Sequence, residues 1–269
     1  MMQKVVLITG GSSGIGKSIG RYLVANGFTV YGTTRSKAKY PDFDAFNLVE
    51  LDVRNTETIT RAIATVIGVE GRIDVLINNA GVGITGPIEE TPDEEIVNAF
   101  MVNFNGPICV MKAVLPQMRK QESGLIINIT SIAGYMGLPY RGIYSASKGA
   151  LELVTEAMRM EVKDFGVHIT TVAPGDFSTN IASGRYHAPV LEDSVYKKPY
   201  GNTLCMMDEH VDAGEDPIQV AERVLKIINT KNPKVHYKVG AFMQKFSLFL
   251  KKILPDKVYE KLLLNHYKL

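Results

Sequence analysis

Tyr144 and Lys148 stand four residues apart in Tyr144-Ser-Ala-Ser-Lys148, a spacing that puts both side chains on one face of a helix, one turn apart. A free tyrosine has a pKa of about 10, too high for easy proton exchange near neutrality. An ammonium at roughly 5 Å, through an effective dielectric of about 20, favours the phenolate by about 3 kcal/mol. That corresponds to about two pKa units and brings the phenol toward the range where a general acid works well. Ordinary helices also carry Tyr and Lys at this spacing, so the pair gains meaning from what accompanies it. Ser131, thirteen residues earlier, closes an apolar run and offers a hydroxyl to the same substrate oxygen. The chemistry implied is proton transfer to or from an alcohol or ketone oxygen.

A second group could hold a phosphate-bearing ligand. The run Thr9-Gly-Gly-Ser-Ser-Gly-Ile-Gly16 follows a β-rich segment and opens a helix. Its glycines, Gly10, Gly14 and Gly16, let backbone turn sharply and approach a pyrophosphate, with Ser12, Ser13 and Ile15 between them at the helix N-terminus. Gly11 to Ser18 also satisfies the pattern G-x-x-x-x-G-K-[ST] of a nucleoside-triphosphate loop, with Lys17 on phosphate, Ser18 on magnesium and Asp52 as the acid such a site needs. The dinucleotide reading is preferred. Arg35 closes the second strand beside Thr34 and Ser36, and no acid lies between Tyr31 and Lys39. An acid at this place binds ribose hydroxyls and an Arg accommodates a 2′-phosphate, so Arg35 points to NADP, with NAD as the alternative. Asp52 and Val53 end the third strand, where adenine would lie. Asn78-Asn79-Ala80-Gly81 ends the fourth, with small residues that let backbone pass close to a flat ligand.

These groups need a scaffold of strand ends. Strands are predicted at residues 4–9, 28–33, 47–51, 73–78, 125–130, 167–173 and 234–239, and helices at 15–26, 55–67, 92–118, 143–165 and 217–228. Pro41 limits any helix between the second and third strands to a short one. This alternation predicts an α/β fold, a doubly wound parallel sheet with helices on both faces. No linker or repeat divides the chain, so residues 1–240 read as one catalytic domain and 241–269 as an amphipathic helical C-terminal extension. With 269 residues, 45% hydrophobic and 22% charged, the chain can bury a large core. A net charge of +2 gives no field for nucleic acid. Cys109 and Cys205 follow no metal spacing and the histidines form no helical metal pair, so no metal is expected. No signal peptide is read at the N-terminus, and no apolar run reaches membrane-spanning length.

In order and spacing, the glycine turn, Asn78-Asn-Ala-Gly81, Ser131, Tyr144-x-x-x-Lys148 and Pro174-Gly175 resemble the short-chain dehydrogenase/reductase family over residues 4 to about 180. Val30-Tyr-Gly-Thr-Thr-Arg35, Leu51-Asp-Val-Arg54, Arg72-Ile-Asp-Val-Leu76, Met136-Gly-Leu-Pro139 and Phe165-Gly-Val-His168 look most like its 17β-hydroxysteroid dehydrogenase-like branch. The resemblance implies a Rossmann-type fold and an NAD(P)-dependent enzyme interconverting a secondary alcohol and a ketone. It implies that Tyr144 exchanges the proton, Lys148 lowers its pKa and holds the nicotinamide ribose, and Ser131 binds the reacting oxygen. Asn103, with Asn105 as the nearby alternative that fits the family pattern less well, would hold a water linking Lys148 to solvent, Asn79 would lie beneath the adenosine ribose, and Pro174, Gly175 and Thr179 would face the nicotinamide. Many NADP users carry a basic residue just before the second motif glycine, where this chain has Ser13, so NADP preference rests on Arg35. A homodimer or homotetramer and a cytoplasmic location are expected. The alternatives are an NAD-linked alcohol dehydrogenase and a dinucleotide-binding regulator without turnover.

Residues 176–214 are read as a loop-rich lid over the substrate. Its Phe177, Ile181, Tyr186, His187, Tyr196, Tyr200, Met206 and Met207 suit a pocket for an apolar (steroid-, retinoid- or lipid-like) substrate, and suit ordinary loop packing as well. In the tail, Phe242, Phe246, Phe249 and Ile253 recur every three to four residues beside Lys245, Lys251 and Lys252. Such a helix packs on the domain or a neighbouring subunit, docks a lipid-like substrate, or makes peripheral contact with a membrane.

Overall fold

The computed structural model describes residues 3–177, 184–212 and 214–269, with side chains given for all of these except 208–212. The predicted Thr179 and Ile181 lie outside the described residues. Seven parallel strands form one sheet: β1 (Val5–Ile8), β2 (Thr29–Thr34), β3 (Asn47–Glu50), β4 (Val75–Asn78), β6 (Gly124–Ile129), β7 (Val167–Pro174) and β9 (His236–Val239). They lie in the order β3-β2-β1-β4-β6-β7-β9. The order reverses at β1, so β1 is flanked by β2 on one side and β4 on the other. The strand ends on either side of such a reversal frame a crevice.

Both faces of the sheet are covered, which is why β1 and β4 are apolar at nearly every position instead of alternating. Leu7, Leu76, Ile126 and Ile169 face α2 (Thr56–Glu70) and α4 (Gly106–Lys120), packing with Ile59, Ile63, Val110 and Met111. Val6, Ile8, Ile77, Ile127 and Val172 face α1 (Gly14–Ala25) and α7 (Ile218–Ile228), packing with Ile19, Leu23, Val220 and Val224. Each such side chain contributes about 1.5–3 kcal/mol by leaving water. Helix ends follow local chemistry: Asn55 caps α2, accepting from the N–H groups of Glu57 (2.9 Å) and Thr58 (3.3 Å). Gly71, at φ +72°, ends it in the left-handed conformation.

The predicted helix over 92–118 is three segments: α3 (Asp93–Phe100), a π-helical turn Met101–Asn105, and α4. The continuous helical stretch Asp93–Lys120 is, by length and composition, apolar enough to cross a membrane, contrary to the expectation from the sequence. Here Val110, Met111, Val114 and Met118 are fully buried, so the apolarity belongs to a helix packed on the sheet.

The segment after β7 departs most from prediction. It is not mainly loop: α6 (Lys197–Asp212) occupies much of it. Its strand among the described residues, β8 (Tyr186–His187), pairs with β5 (Ile84–Thr85), a two-residue strand that periodicity could not register. The tail folds as expected into α8 (Phe242–Ile253) and α9 (Asp256–Tyr267), while β2–β3 holds only a 3-10 turn, Lys37–Lys39.

Candidate active site

A crevice of about 440 Å³ runs along the C-terminal ends of the strands. Its walls follow the sheet order: Thr34 and Arg35 after β2, Gly10 to Ile15 after β1, Asn79 to Gly81 after β4, Thr130 and Ser131 after β6, Pro174 and Gly175 after β7. Five adjacent strand ends at about 4.8 Å apiece span roughly 19 Å, room for an extended dinucleotide. A smaller cavity of about 250 Å³ lies at the opposite, N-terminal edge, around Lys4, Asp74 and Gly124, where open α/β sheets do not bind their ligands.

The phosphate end is shaped by backbone. Gly10 turns at φ +64°, a conformation open to glycine. A side chain on Gly16 would sit 2.3 Å from the Gly10 carbonyl oxygen. Gly16 therefore lies under the turn instead of in the crevice wall, and its role is to let α1 approach. The first turn of α1 has no side-chain cap from Ser13 and no acid of its own, so its N–H groups are left for a ligand. Asn79 fastens β4 to this turn. Its Nδ2 donates to the carbonyls of Thr9 and Gly10, both at 3.0 Å, while Thr9 Oγ1 accepts from the N–H groups of Asn79 and Ala80, also at 3.0 Å.

The triphosphate-loop alternative loses its key groups. The Lys17 ammonium lies over the Phe43 ring, 5.3 Å from the centroid. Asp52 is engaged by Arg54, whose Nη2 donates at 2.7 Å and holds that carboxylate below its usual pKa. Arg35 is exposed at the crevice and makes no hydrogen bond or ion pair among the described residues. Lys39, from the 3-10 turn, lines the same end.

At the other end, α5 (Gly142–Glu161) carries Tyr144 and Lys148 into the crevice together with Ser131. The Ser131 hydroxyl accepts from the Ala133 N–H at 3.1 Å. Lys148 is buried and its Nζ donates to the Ile129 carbonyl at 3.0 Å. Burial pushes its pKa below the usual lysine value, while the negative charges available to Tyr144 and Glu152 pull it back up. Asn103 does not line the crevice. It sits in the π-helical turn, fully buried, and clamps Val82: Oδ1 accepts from its N–H at 2.8 Å and Nδ2 donates to its carbonyl at 2.9 Å. It still belongs to the neighbourhood, because a side chain built on Gly81 would meet Asn103 Oδ1 at 3.1 Å and Lys148 Nζ at 3.3 Å.

Three groups escaped the sequence reading. Glu152, one turn beyond Lys148, is buried and accepts from Thr130 Oγ1, from Thr171 Oγ1 at 2.8 Å, and contacts His236 Nδ1 at 2.8 Å. An acid on the buried face of an apolar helix was the available signal. The Arg141 guanidinium lies 5.4 Å from the centre of the Tyr144 ring and also neighbours Tyr267 at the end of the tail. Gln244 of α8 packs onto Gly175, where a side chain would collide with its Oε1. Gln244 Nε2 donates to Asp176 Oδ2 at 2.7 Å. No local pattern announces a contact across so many residues.

Most lid side chains proposed for the substrate pocket pack elsewhere. Tyr200 is buried and donates to the Ala188 carbonyl at 2.9 Å, Tyr196 donates to Glu89 at 2.7 Å, and His187 Nδ1 pairs with Thr85 Oγ1 at 3.1 Å. Among the described lid residues, Asp176, Phe177, Gly184 and Arg185 line the crevice.

Comparison with known proteins bears on the whole chain. The family model described as short chain dehydrogenase matches residues 4–189. A 3-ketodihydrosphingosine reductase of Bacteroides thetaiotaomicron is 38% identical over 97% of this chain and 96% of its own. The 17-beta-hydroxysteroid dehydrogenase type 1 of Mus musculus is 33% identical over 87% and 72%. A solved short-chain dehydrogenase of Streptomyces avermitilis superposes with a TM-score of 0.83 at 32% identity, covering 99% of this chain and 97% of its own. ElxO with NADP bound superposes with a TM-score of 0.71 at 28% identity, covering 88% and 97%. The chain belongs to the short-chain dehydrogenase/reductase family, oxidoreductases that act on CH–OH groups.

Proposed function

We propose that this protein is an NADPH-dependent reductase of an apolar ketone. The observation that carries the cofactor choice is Arg35, an exposed cation at the adenosine end of the crevice that has no hydrogen bond or ion pair among the described residues, with no acid between Tyr31 and Lys39 to hold ribose hydroxyls. The residues present suit the dinucleotide: an uncapped helix N-terminus, a left-handed turn at Gly10 where an added Cβ would press on the Ala80 backbone at 3.0 Å, and a crevice spanning five strand ends. Gly10, Ser12, Ser13, Gly14 and Ile15 would hold the pyrophosphate, Thr34 and Arg35 the 2′-phosphate, Asp52 and Val53 the adenine. Ala80, Gly81, Pro174 and Gly175 would border the nicotinamide half. When bound, the cofactor supplies the hydride.

The chain's own residues handle the proton. Tyr144 donates from its Oη to the carbonyl oxygen as negative charge gathers there. Ser131 binds the same oxygen, its hydroxyl hydrogen being uncommitted among the described residues while its oxygen accepts from Ala133. Lys148 stabilises the phenolate left behind, and Glu152 helps keep that buried lysine charged. Asn103 holds the backbone beside Lys148 in place and is the candidate to support a water on the path to solvent.

The surroundings of Ser131 and the chain's kinship both favour an apolar substrate. Ile132 and Met136, directly after Ser131, form an apolar cluster with Leu248 and Tyr259 of the tail. A relative spanning nearly the whole chain is named for a 3-keto long-chain base, and another for a steroid. An apolar ketone fits both names, and a long-chain one fits the first. The test is consumption of NADPH and NADH by the purified protein across a panel of apolar ketones, long-chain 3-keto compounds included. Expected is ketone-dependent oxidation with NADPH at least tenfold preferred in kcat/KM. Cofactor binding without turnover on any ketone would leave a regulator instead, and NADH preference would overturn the role of Arg35.

A further inference from the structure

The outer face of α8 has no partner among the described residues. Phe242, Phe249 and Ile253 are 73%, 54% and 58% exposed, far beyond what a packed helix leaves to water. With Phe246 they form a continuous stripe, the rings of Phe242 and Phe246 stacking at 5.8 Å and those of Phe246 and Phe249 at 6.1 Å. At helical spacing this stripe lies opposite Gln244 and Leu248, the side chains through which α8 holds the domain. It is therefore a surface in addition to the packing face.

Charge selects the occupant. Residues 241–269 carry six lysines against Asp256 and Glu260, a net of +4, although the whole chain is only +2. From Ala241 to Pro255 there is no acid at all, and Lys245 and Lys252 border one edge of the aromatic stripe. Apolar rings flanked by exposed lysines suit the boundary between acyl chains and anionic headgroups. A second copy of this chain would have to bring these lysines together with their like.

We propose that α8 is a docking surface for an anionic phospholipid bilayer. Phe242, Phe249 and Ile253 enter the headgroup boundary, and Lys245 and Lys252 meet the phosphates. The inner face of the same helix reaches Asp176 and the apolar cluster beyond Ser131, so docking sets the substrate end of the crevice against the lipid. Delivery of a lipid-soluble ketone rests on the function proposed above. The docking does not, and it is measured without turnover.

The experiment is co-sedimentation of the full chain with vesicles of phosphatidylcholine alone or mixed with phosphatidylglycerol. The variants are Phe242→Ser with Phe249→Ser, and Lys245→Glu with Lys252→Glu, each checked by thermal unfolding and by mass from light scattering. Expected is binding to the anionic vesicles, at least tenfold weaker in either double variant and weakened by salt, with unfolding temperature and mass unchanged. No binding to anionic vesicles, or undiminished binding by both variants, overturns the proposal. A parent oligomer that the Phe242→Ser, Phe249→Ser variant fails to form assigns the stripe to a second copy and overturns it equally. Should one variant fail to fold, the other decides.

Discussion

The crevice and its cover are held together by different means. Around the crevice, side chains are fixed several times over by neighbouring groups: Glu152 by Thr130, Thr171 and His236, Asn103 by both polar groups of Val82 and by Ser147, Asn79 by two carbonyls of the glycine turn. The cover formed after β7 is fastened at isolated points. The β5–β8 pair has two residues in each strand, one glutamine joins α8 to Asp176, and Ser247 meets the Tyr259 hydroxyl at 2.9 Å. Proton and hydride transfer require atoms placed within a fraction of an ångström, which such over-determined contacts supply. A cover that recognises an apolar body needs shape more than precision, and single fastenings suffice. Changes in the crevice should therefore cost rate, and changes in the cover should cost substrate affinity.

The largest expected effect is on the crevice side. Tyr144→Phe removes the proton donor and leaves the ring beside Arg141. Turnover should fall by about 10²–10⁴, the usual worth of general acid catalysis, with NADPH affinity within twofold of the parent. Stopped-flow reduction and cofactor titration separate the two. Retained turnover would break the comparison at its root, since the crevice would then owe nothing to the phenol that α5 carries into it.

Arg35→Asp comes next. It exchanges a cation for an anion where a 2′-phosphate would lie, and loss of a charge-assisted hydrogen bond of about 1.5–3 kcal/mol weakens NADPH binding by roughly ten- to a hundredfold. NADH binding should hold or improve, and titration of both cofactors reads the ratio. An unchanged ratio would move phosphate recognition to Lys39.

Glu152→Gln has a smaller, pH-dependent effect. Burial already lowers the pKa of Lys148, and the Glu152 carboxylate opposes that fall. Without the carboxylate the ammonium loses its proton at lower pH, so the alkaline limb of kcat/KM should move toward acid, with little change on the acidic side. A uniform drop at every pH would mean that Glu152 acts only by tying Thr130, Thr171 and His236 together.

The division between crevice and cover also explains what could be read from sequence. Gly10 to Gly16, Arg35 and Ser131 are local patterns at strand ends, and parallel strands covered on both faces force those ends to one edge of the sheet; Tyr144 and Lys148 are a local pattern on α5, the helix that follows β6. Asn103 was legible as a residue but not as a clamp, because a π-helical turn leaves no periodic trace. The cover was illegible for a different reason. Tyr200 and Tyr196 look like pocket side chains by composition, and only their contacts with Ala188 and the distant Glu89 show that they pack in the fold. Gly175 read as a cofactor neighbour because its other neighbour, Gln244, is remote in sequence.

Gln244→Ala tests the cover at its join with the crevice and should give the smallest effect. Gln244 donates to Asp176 Oδ2 at 2.7 Å and accepts from its N–H at 3.3 Å. Losing these contacts costs about 1 kcal/mol, which predicts an unfolding temperature about 2–4 °C lower. If α8 serves the substrate end alone, KM for an apolar ketone should rise about fivefold, the same energy expressed as binding, while kcat and NADPH affinity stay put. Because Gly175 leaves no side chain between Gln244 and the crevice, a loosened α8 has a second route of influence. Weakened NADPH binding with unchanged KM would show it acting through Gly175 on the cofactor. The cover would then be part of the dinucleotide site, and the boundary between the two regions would have to be drawn beyond α8.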